Sequence, residues 1–286
     1  MTLSVRVPAS TSNLGAGFDC VGLALDLWLE ARLTPGNGEP QYSGAVADLR
    51  ADTDLIYTHL VAAGAAQEHQ LWVHSDIPVG RGLGSSAAGR VASLVLEQIA
   101  RGVEVDKDEI FSAAARKEGH PDNAGPAVYG GLILAAATPT PVTVHGDVGV
   151  ALAVPDRPVE TEAARAMLPQ SVERHVVAAQ AARAAALVRG LETGDPELIG
   201  YGMLDQLAVP YRKHLIPGFD AAATAGRDAG AWGVTISGSG STLVALSPTD
   251  VVSEVANAMV DALARHDNPA APLTPAISAT GLTVAV

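Results

Sequence analysis

Residues 77–88 read Ile77-Pro78-Val79-Gly80-Arg81-Gly82-Leu83-Gly84-Ser85-Ser86-Ala87-Ala88, and they restrict the possible folds more than any other stretch of the chain. Glycines at 80, 82 and 84 give the backbone freedom to turn. Two serines then open a segment in which Val91, Ala92, Leu94, Val95, Leu96 and Ile99 recur at helical spacing. A glycine-rich loop entering a helix leaves backbone N–H groups without intrahelical partners, beside the positive end of the helix dipole. Such a terminus receives phosphate, and the paired hydroxyls offer hard oxygen ligands to a phosphate-bound Mg²⁺.

Other readings of the same loop have to be weighed. It could be a purely structural glycine turn. Gly82, Gly84 and Ala87 also fit a G-x-G-x-x-A dinucleotide fingerprint, with Glu104 where an acidic ribose partner would stand. That loop leaves its strand directly, however, whereas Ser75-Asp76-Ile77-Pro78 intervenes here. A Walker motif is excluded, because no lysine follows the glycines.

Outward from the loop the pattern is mixed α and β. Leu3, Val5 and Val7 alternate, with Pro8 as the expected end of a strand, and the small polar residues 9–19 read as a loop. Alternation returns at Leu23 to Leu29, and residues 34–38 are a turn. Helices are expected over 54–67, from Val91 through Ile99, and from the Asp106/Glu109 capping box to about Lys117. A strand is expected over 131–137, and Thr138-Pro139-Thr140-Pro141 is the best boundary between two domains, 1–143 and 144–286. In the second half, strands at 148–154, 232–237, 242–246 and 282–286 alternate with helices at 171–190, 219–229 and 250–265. Without the extra helices this order is that of a split βαβ sandwich.

Charge narrows the partners. The chain carries 18 Lys and Arg against 31 Asp and Glu, a formal net charge of −13, with no basic cluster, so neither a nucleic acid nor an anionic membrane is an expected partner. No stretch has the length of a membrane span, and the first residues lack the charged and apolar regions of a signal peptide, so a cytoplasmic protein is expected. Cys20 is the only cysteine, which excludes an internal disulfide.

The twelve-residue loop resembles the signature of the GHMP kinases. Further segments are similar to the homoserine kinases of that family: Pro8-Ala9-Ser10-Thr11-Ser12-Asn13-Leu14-Gly15-Ala16-Gly17-Phe18-Asp19, Glu118-Gly119-His120-Pro121-Asp122-Asn123, Thr161 to Arg165, Pro210-Tyr211-Arg212, and Thr235 to Thr242. The resemblance implies an α+β, two-domain fold, with a ribosomal-protein-like N-terminal domain that binds ATP and a C-terminal ferredoxin-like split βαβ domain. It implies phosphorylation of L-homoserine by ATP with Mg²⁺, a step of threonine biosynthesis, and a homodimer.

It also implies roles for particular residues. Pro78, Gly80, Arg81, Gly82, Leu83, Gly84, Ser85, Ser86 and Ala87 would hold the triphosphate. Asp54 would stand near the adenine, and Ser86 with Glu118 would hold the metal. Asn13, Asp19, His120, Asn123, Thr161, Arg165 and Arg212 would contact the amino acid. The residue types suit an amino-acid ligand, since a carboxylate such as Asp19 meets an ammonium, and arginines meet a carboxylate in bidentate fashion. No general base is assigned, and Asp122 stands as the open candidate. Departures from the pattern include Ser239 and Ser241, where alanine and proline are usual, and Asp54, where asparagine is common. The rivals are a kinase for another small alcohol and a non-catalytic amino-acid or nucleotide sensor on the same scaffold.

Overall fold

A computed structural model describes residues 2–285. The first half contains β1 (Leu3–Asn13), β2 (Gly17–Pro35), β3 (Gln41–Gly44), α1 (Leu55–Ala62), β4 (His69–Ser75), α2 (Ser85–Ala100), α3 (Lys107–Glu118), α4 (Ala124–Tyr129), β5 (Leu132–Leu134) and β6 (Thr140–Val142). The second contains β7 (Val148–Pro155), α5 (Thr161–Ala166), α6 (Arg174–Thr193), α7 (Pro196–Gly202), α8 (Val209–Arg212), a 3-10 turn at Lys213–Leu215, α9 (Phe219–Asp228), β8 (Gly233–Ile236), β9 (Leu243–Pro248), α10 (Val252–Ala264), β10 (Ala270–Leu273) and β11 (Thr283–Ala285).

Two sheets result. The first runs β11-β1-β2-β4-β3, with β5 on β2 and β6 on β5, and the second runs β10-β7-β9-β8. Strand β7 shows why the second sheet is covered on both faces. Val148, Val150, Leu152 and Val154 join the larger core, while Ala151 and Ala153 join a smaller core with Ala222, Val255, Met259 and Leu263 of α9 and α10. Period-two alternation with both faces apolar buries the whole strand.

Several local expectations fail for identifiable reasons. Pro8 does not end β1. The strand continues to Asn13 with a register shift between Pro8 and Ala9, the kind of irregularity that accommodates a residue without an N–H. Residues 9–13, read as loop, are a buried strand, and β2 takes up the chain from Gly17. Strand β6 (Thr140–Val142) overlaps the Thr138–Pro141 stretch and pairs with β5 in the first sheet. The last strand, expected at 282–286, does not complete the second sheet. That place is taken by β10, and β11 pairs with β1 through Ser4, Val5 and Arg6; Val286 lies outside the described residues. Among the described residues, no helix is long and apolar enough to cross a membrane.

Candidate active site

The site is assembled on β1. Its inner residues Ser10, Thr11 and Ser12 are fully buried, and their hydroxyls and backbone reach both halves of the chain. Ser10 N–H donates to Leu83 O (3.1 Å), the Thr11 and Ser237 hydroxyls are hydrogen-bonded at 2.8 Å, with Thr11 as donor, and Ser12 O accepts from Gly238 N–H (3.1 Å). Buried polar groups need partners, and here those partners are the glycine loop and the turn after β8.

The glycine loop is held by its carbonyls. Arg81 O accepts from Thr242 N–H (3.1 Å) and Gly82 O accepts from Ser237 Oγ (2.6 Å). Gly84 caps α2 in the left-handed region at φ 70°, and a Cβ there would lie 2.1 Å from Ser10 Oγ. A side chain at 84 is therefore excluded twice, by conformation and by space. The first helical bond of α2 runs from Ala88 N–H to Gly84 O (2.9 Å), which leaves the N–H groups of Ser85, Ser86 and Ala87 at the exposed start of the helix. Phosphate recognition there can rest on the main chain and the helix dipole.

One pocket of about 410 Å³ joins this loop to the second half of the chain. Asn13, Asp19, the loop from Gly80 to Ala87, Glu118, His120, Asp122, Asn123, Thr161, Arg165 and Arg212 all line it. Pro78 and Asp54 do not. Asp54 is the N-cap of α1: its carboxylate accepts from Ile56 N–H (2.9 Å), Tyr57 N–H (3.1 Å) and Tyr42 Oη–H (3.0 Å). Burial still pushes that carboxyl above its ordinary pKa, with the three donors opposing.

At one end of the pocket an ion pair closes the wall. Arg165 donates to Asp19 Oδ1 (2.8 Å) and Oδ2 (3.3 Å). Asp19, at φ 54°, is held in place by its own N–H, which donates to Asn13 Oδ1 (2.8 Å). Asn13 Nδ2 donates in turn to Gly238 O (2.9 Å). Arg212, only 3% exposed, donates to Ala164 O and Gly238 O (both 3.2 Å), with its guanidinium 5.3 Å from the centre of the Phe18 ring. Burial lowers its pKa, and the charge of Arg165 adds to that.

His120 and Asp122 form a second pair, Nδ1 to Oδ1 at 2.5 Å, and Asp122 Oδ1 also accepts from Asn123 N–H (3.0 Å). Burial works against the imidazolium of His120, but the hydrogen bond and charge of Asp122 outweigh it, and the pKa is raised. Ligand atoms of Asp19, His120 and Asp122 lie within 4.8 Å of one another, an arrangement suited to a cation. The amide of Asn123 is turned into β1, accepting from Ser10 Oγ (2.8 Å) and donating to Ser12 Oγ (3.0 Å). The Thr161 hydroxyl lies 3.1 Å from that of Ser239, which ties α5 to the turn after β8.

At the other end, Ser86 Oγ–H donates to Glu118 Oε1 (2.8 Å), and Arg90 pairs with the same oxygen. Glu118 Oε2 accepts no hydrogen bond among the described residues. A hydroxyl and a carboxylate sharing one point, with an oxygen to spare, fit the partial protein shell that Mg²⁺ takes beside phosphate. Arg81, in contrast, is tied to the main chain, donating to Pro155 O (2.8 Å), Val79 O (2.9 Å) and Asp156 O (2.5 Å).

Sequence reading did not single out Arg90, Lys117, Ser12 or Gly238 as parts of this pocket. Arg90 carried a usable signal, since it stands four residues after Ser86 and so on the same helix face. The contacts of Ser12 and Gly238 join opposite ends of the chain and leave no local pattern.

Residues 50–131 match the GHMP kinases N terminal domain, and residues 185–265 match the GHMP kinases C terminal domain. The chain is 39% identical over 261 residues to a homoserine kinase of Nostoc punctiforme, an overlap of 86% of each chain. It is 38% identical over 274 residues to a homoserine kinase of Trichormus variabilis, 90% of each. A crystal structure of homoserine kinase from Cytophaga hutchinsonii superposes with a TM-score of 0.81 at 28% identity, over 99% of this chain and 97% of that one.

Proposed function

This chain belongs to the GHMP kinase family, among its homoserine kinases, and from that premise we propose that its pocket transfers the γ-phosphoryl group of ATP to the side-chain hydroxyl of L-homoserine, giving O-phospho-L-homoserine. One observation carries the reading at the level of the site: a single pocket joins an amide-lined glycine loop to a set of acid and arginine side chains suited to an α-amino acid.

The roles follow from charge. The amides at the start of α2 receive the triphosphate. Asp19 takes the substrate ammonium, with Asp122 nearby, and Arg165 and Arg212 take the carboxylate. His120 borders the path of the hydroxyl, while Asn13 and Asn123 hold the strands and turns that shape the wall. Ser86 and Glu118 hold the Mg²⁺ that accompanies ATP, and the metal supplies neutralisation of the charge on the transferring group. Positioning and electrostatics then account for most of the catalysis, because a loose phosphoryl transition state asks little of a base. We assign no base. The same reading includes a homodimer and no nucleic-acid or membrane partner.

The test is ADP release from Mg²⁺-ATP with homoserine, mevalonate, galactose or no acceptor. Turnover with homoserine alone is expected. Equal turnover with mevalonate or galactose would reject the amino-acid assignment, and binding of ATP and homoserine without turnover would point to a sensor.

A further inference from the structure

The glycine loop contains no lysine, and the chain as a whole carries a formal net charge of −13, so the cations around the pocket decide what neutralises a polyphosphate. Most of them are already occupied. Arg165 is paired with Asp19. Arg212 is buried against two carbonyls at the far end. All three donor nitrogens of Arg81 are on the main chain. Lys117 donates to His59 Nδ1 (3.0 Å), whose other nitrogen lies 2.6 Å from Glu97.

Arg90 differs from these. Its Nε is paired with Glu118, which fixes the plane of the guanidinium. Its Nη1 and Nη2 make no hydrogen bond among the described residues, although the residue lines the pocket beside Ser85 and Ser86. It stands one turn along α2 from Ser86, on the same face. A guanidinium with one edge anchored and the other open is ready for bidentate contact with phosphate oxygens, a geometry that lysine lacks.

We propose that Arg90 is a phosphate ligand of the bound nucleotide, with Glu118 holding its Nε while Nη1 and Nη2 donate to β-phosphate oxygens, which ADP and ATP share. It supplies from the helix the cation that the loop omits. Glu118 thereby has two roles, orienting Arg90 through Oε1 and offering Oε2 to the metal. This rests on the reading of the glycine loop as the triphosphate site.

The test is calorimetric binding of ADP to wild type, Arg90→Met and Arg90→Lys, with Mg²⁺ and separately in EDTA. Arg90→Met is expected to weaken ADP by about tenfold or more, the usual loss of a charge-assisted contact. The loss should be larger in EDTA, where no metal shares the charge. Arg90→Lys should recover only part of it. The homoserine KM and the melting temperature of Arg90→Met should stay at wild-type values, which separates phosphate contact from a general structural role. ADP affinity in Arg90→Met equal to wild type under both conditions would overturn the proposal and leave the loop reading intact. Absence of ADP binding by wild type itself would overturn both.

Discussion

Arg165 and Asp19 pair across the pocket through two hydrogen bonds, although 146 residues separate them. Each side chain is about one-third exposed, 36% and 33%, so water screens the pair and its contribution to stability is small, about 1 kcal/mol or less. The pair presents one carboxylate and one guanidinium to each other, the same charges that an amino acid's ammonium and carboxylate would meet. Under the proposed roles, homoserine would exchange partners with it.

Arg165→Ala is therefore expected to leave the melting temperature nearly unchanged while raising the homoserine KM by about tenfold or more, the loss of a charged hydrogen bond. Steady-state kinetics beside a thermal melt checks both halves. A normal KM would remove Arg165 from the carboxylate site.

Arg212 should behave differently because it is buried. Arg212→Ala strips its donor from Ala164 O, worth about 1–3 kcal/mol if left unpaired in the interior, and one of two donors from Gly238 O, which keeps Asn13 Nδ2. A lower melting temperature and a higher homoserine KM are expected together. Arg212→Lys should restore part of the stability but little of the affinity, since one ammonium cannot serve two carbonyls and a carboxylate in the plane of a fork. Urea unfolding and homoserine saturation curves on both variants decide it.

These two arginines also mark how far the sequence could be read. The glycine loop, the helix behind it and most later elements were legible, because glycine spacing, capping residues and apolar periodicity are local signals. Ser10, Thr11 and Ser12 were not. Polar side chains in an unbroken run look like loop, yet each finds its partner far along the chain, at Asn123 and Ser237. The strand expected at 282–286 was placed in the second sheet, whereas β11 pairs with β1, since nothing in its sequence names β1 as the neighbour. Asp54 was placed near adenine by resemblance; in the fold its carboxylate caps α1. The acceptor end is brought together by contacts of this long-range kind, so its residues could be named from motifs and their hydrogen bonds could not.

Gly84→Ala should cost both stability and nucleotide affinity. Gly102 provides the control, because it has the same φ of 70° but nothing within 4 Å of where a Cβ would stand. Gly102→Ala should show only the backbone strain, about 1–3 kcal/mol, with ADP affinity unchanged. Gly84→Ala adds the clash with Ser10 Oγ, so its melting temperature should fall further and its ADP affinity with it. Equal effects at the two positions would mean that the close packing of loop on β1 is unimportant.

His120 gives a pH dependence with a definite sign. Its folded pKa is raised, so the pair with Asp122 stabilises the fold fully below the unfolded histidine value of about 6.5. That contribution is lost as pH rises through the folded pKa. The melting temperature of wild type minus that of His120→Gln should therefore be largest on the acid side and shrink above about pH 6.5. Asp122→Asn should abolish the trend. The same variant addresses catalysis: a fall in kcat of less than about 100-fold agrees with a reaction that needs no base, and a larger fall with both KM values intact would make Asp122 one.

Ser86 and Glu118 test the metal. Their hydrogen bond of 2.8 Å brings a hydroxyl and a carboxylate to one point at the start of α2. Glu118→Gln keeps the shape but removes the charge, and Ser86→Ala removes the hydroxyl alone. Each should raise the Mg²⁺ concentration for half-maximal ADP release by about tenfold or more, on the scale of losing a metal-site partner. The homoserine KM at saturating Mg²⁺-ATP should not move, because under the proposed roles both residues serve the phosphates and not the amino acid. A titration of Mg²⁺ at fixed ATP separates the outcomes. An unchanged half-point in Glu118→Gln would mean that Glu118 serves Arg90 only, and the metal would have to be held by Ser86 and the phosphates.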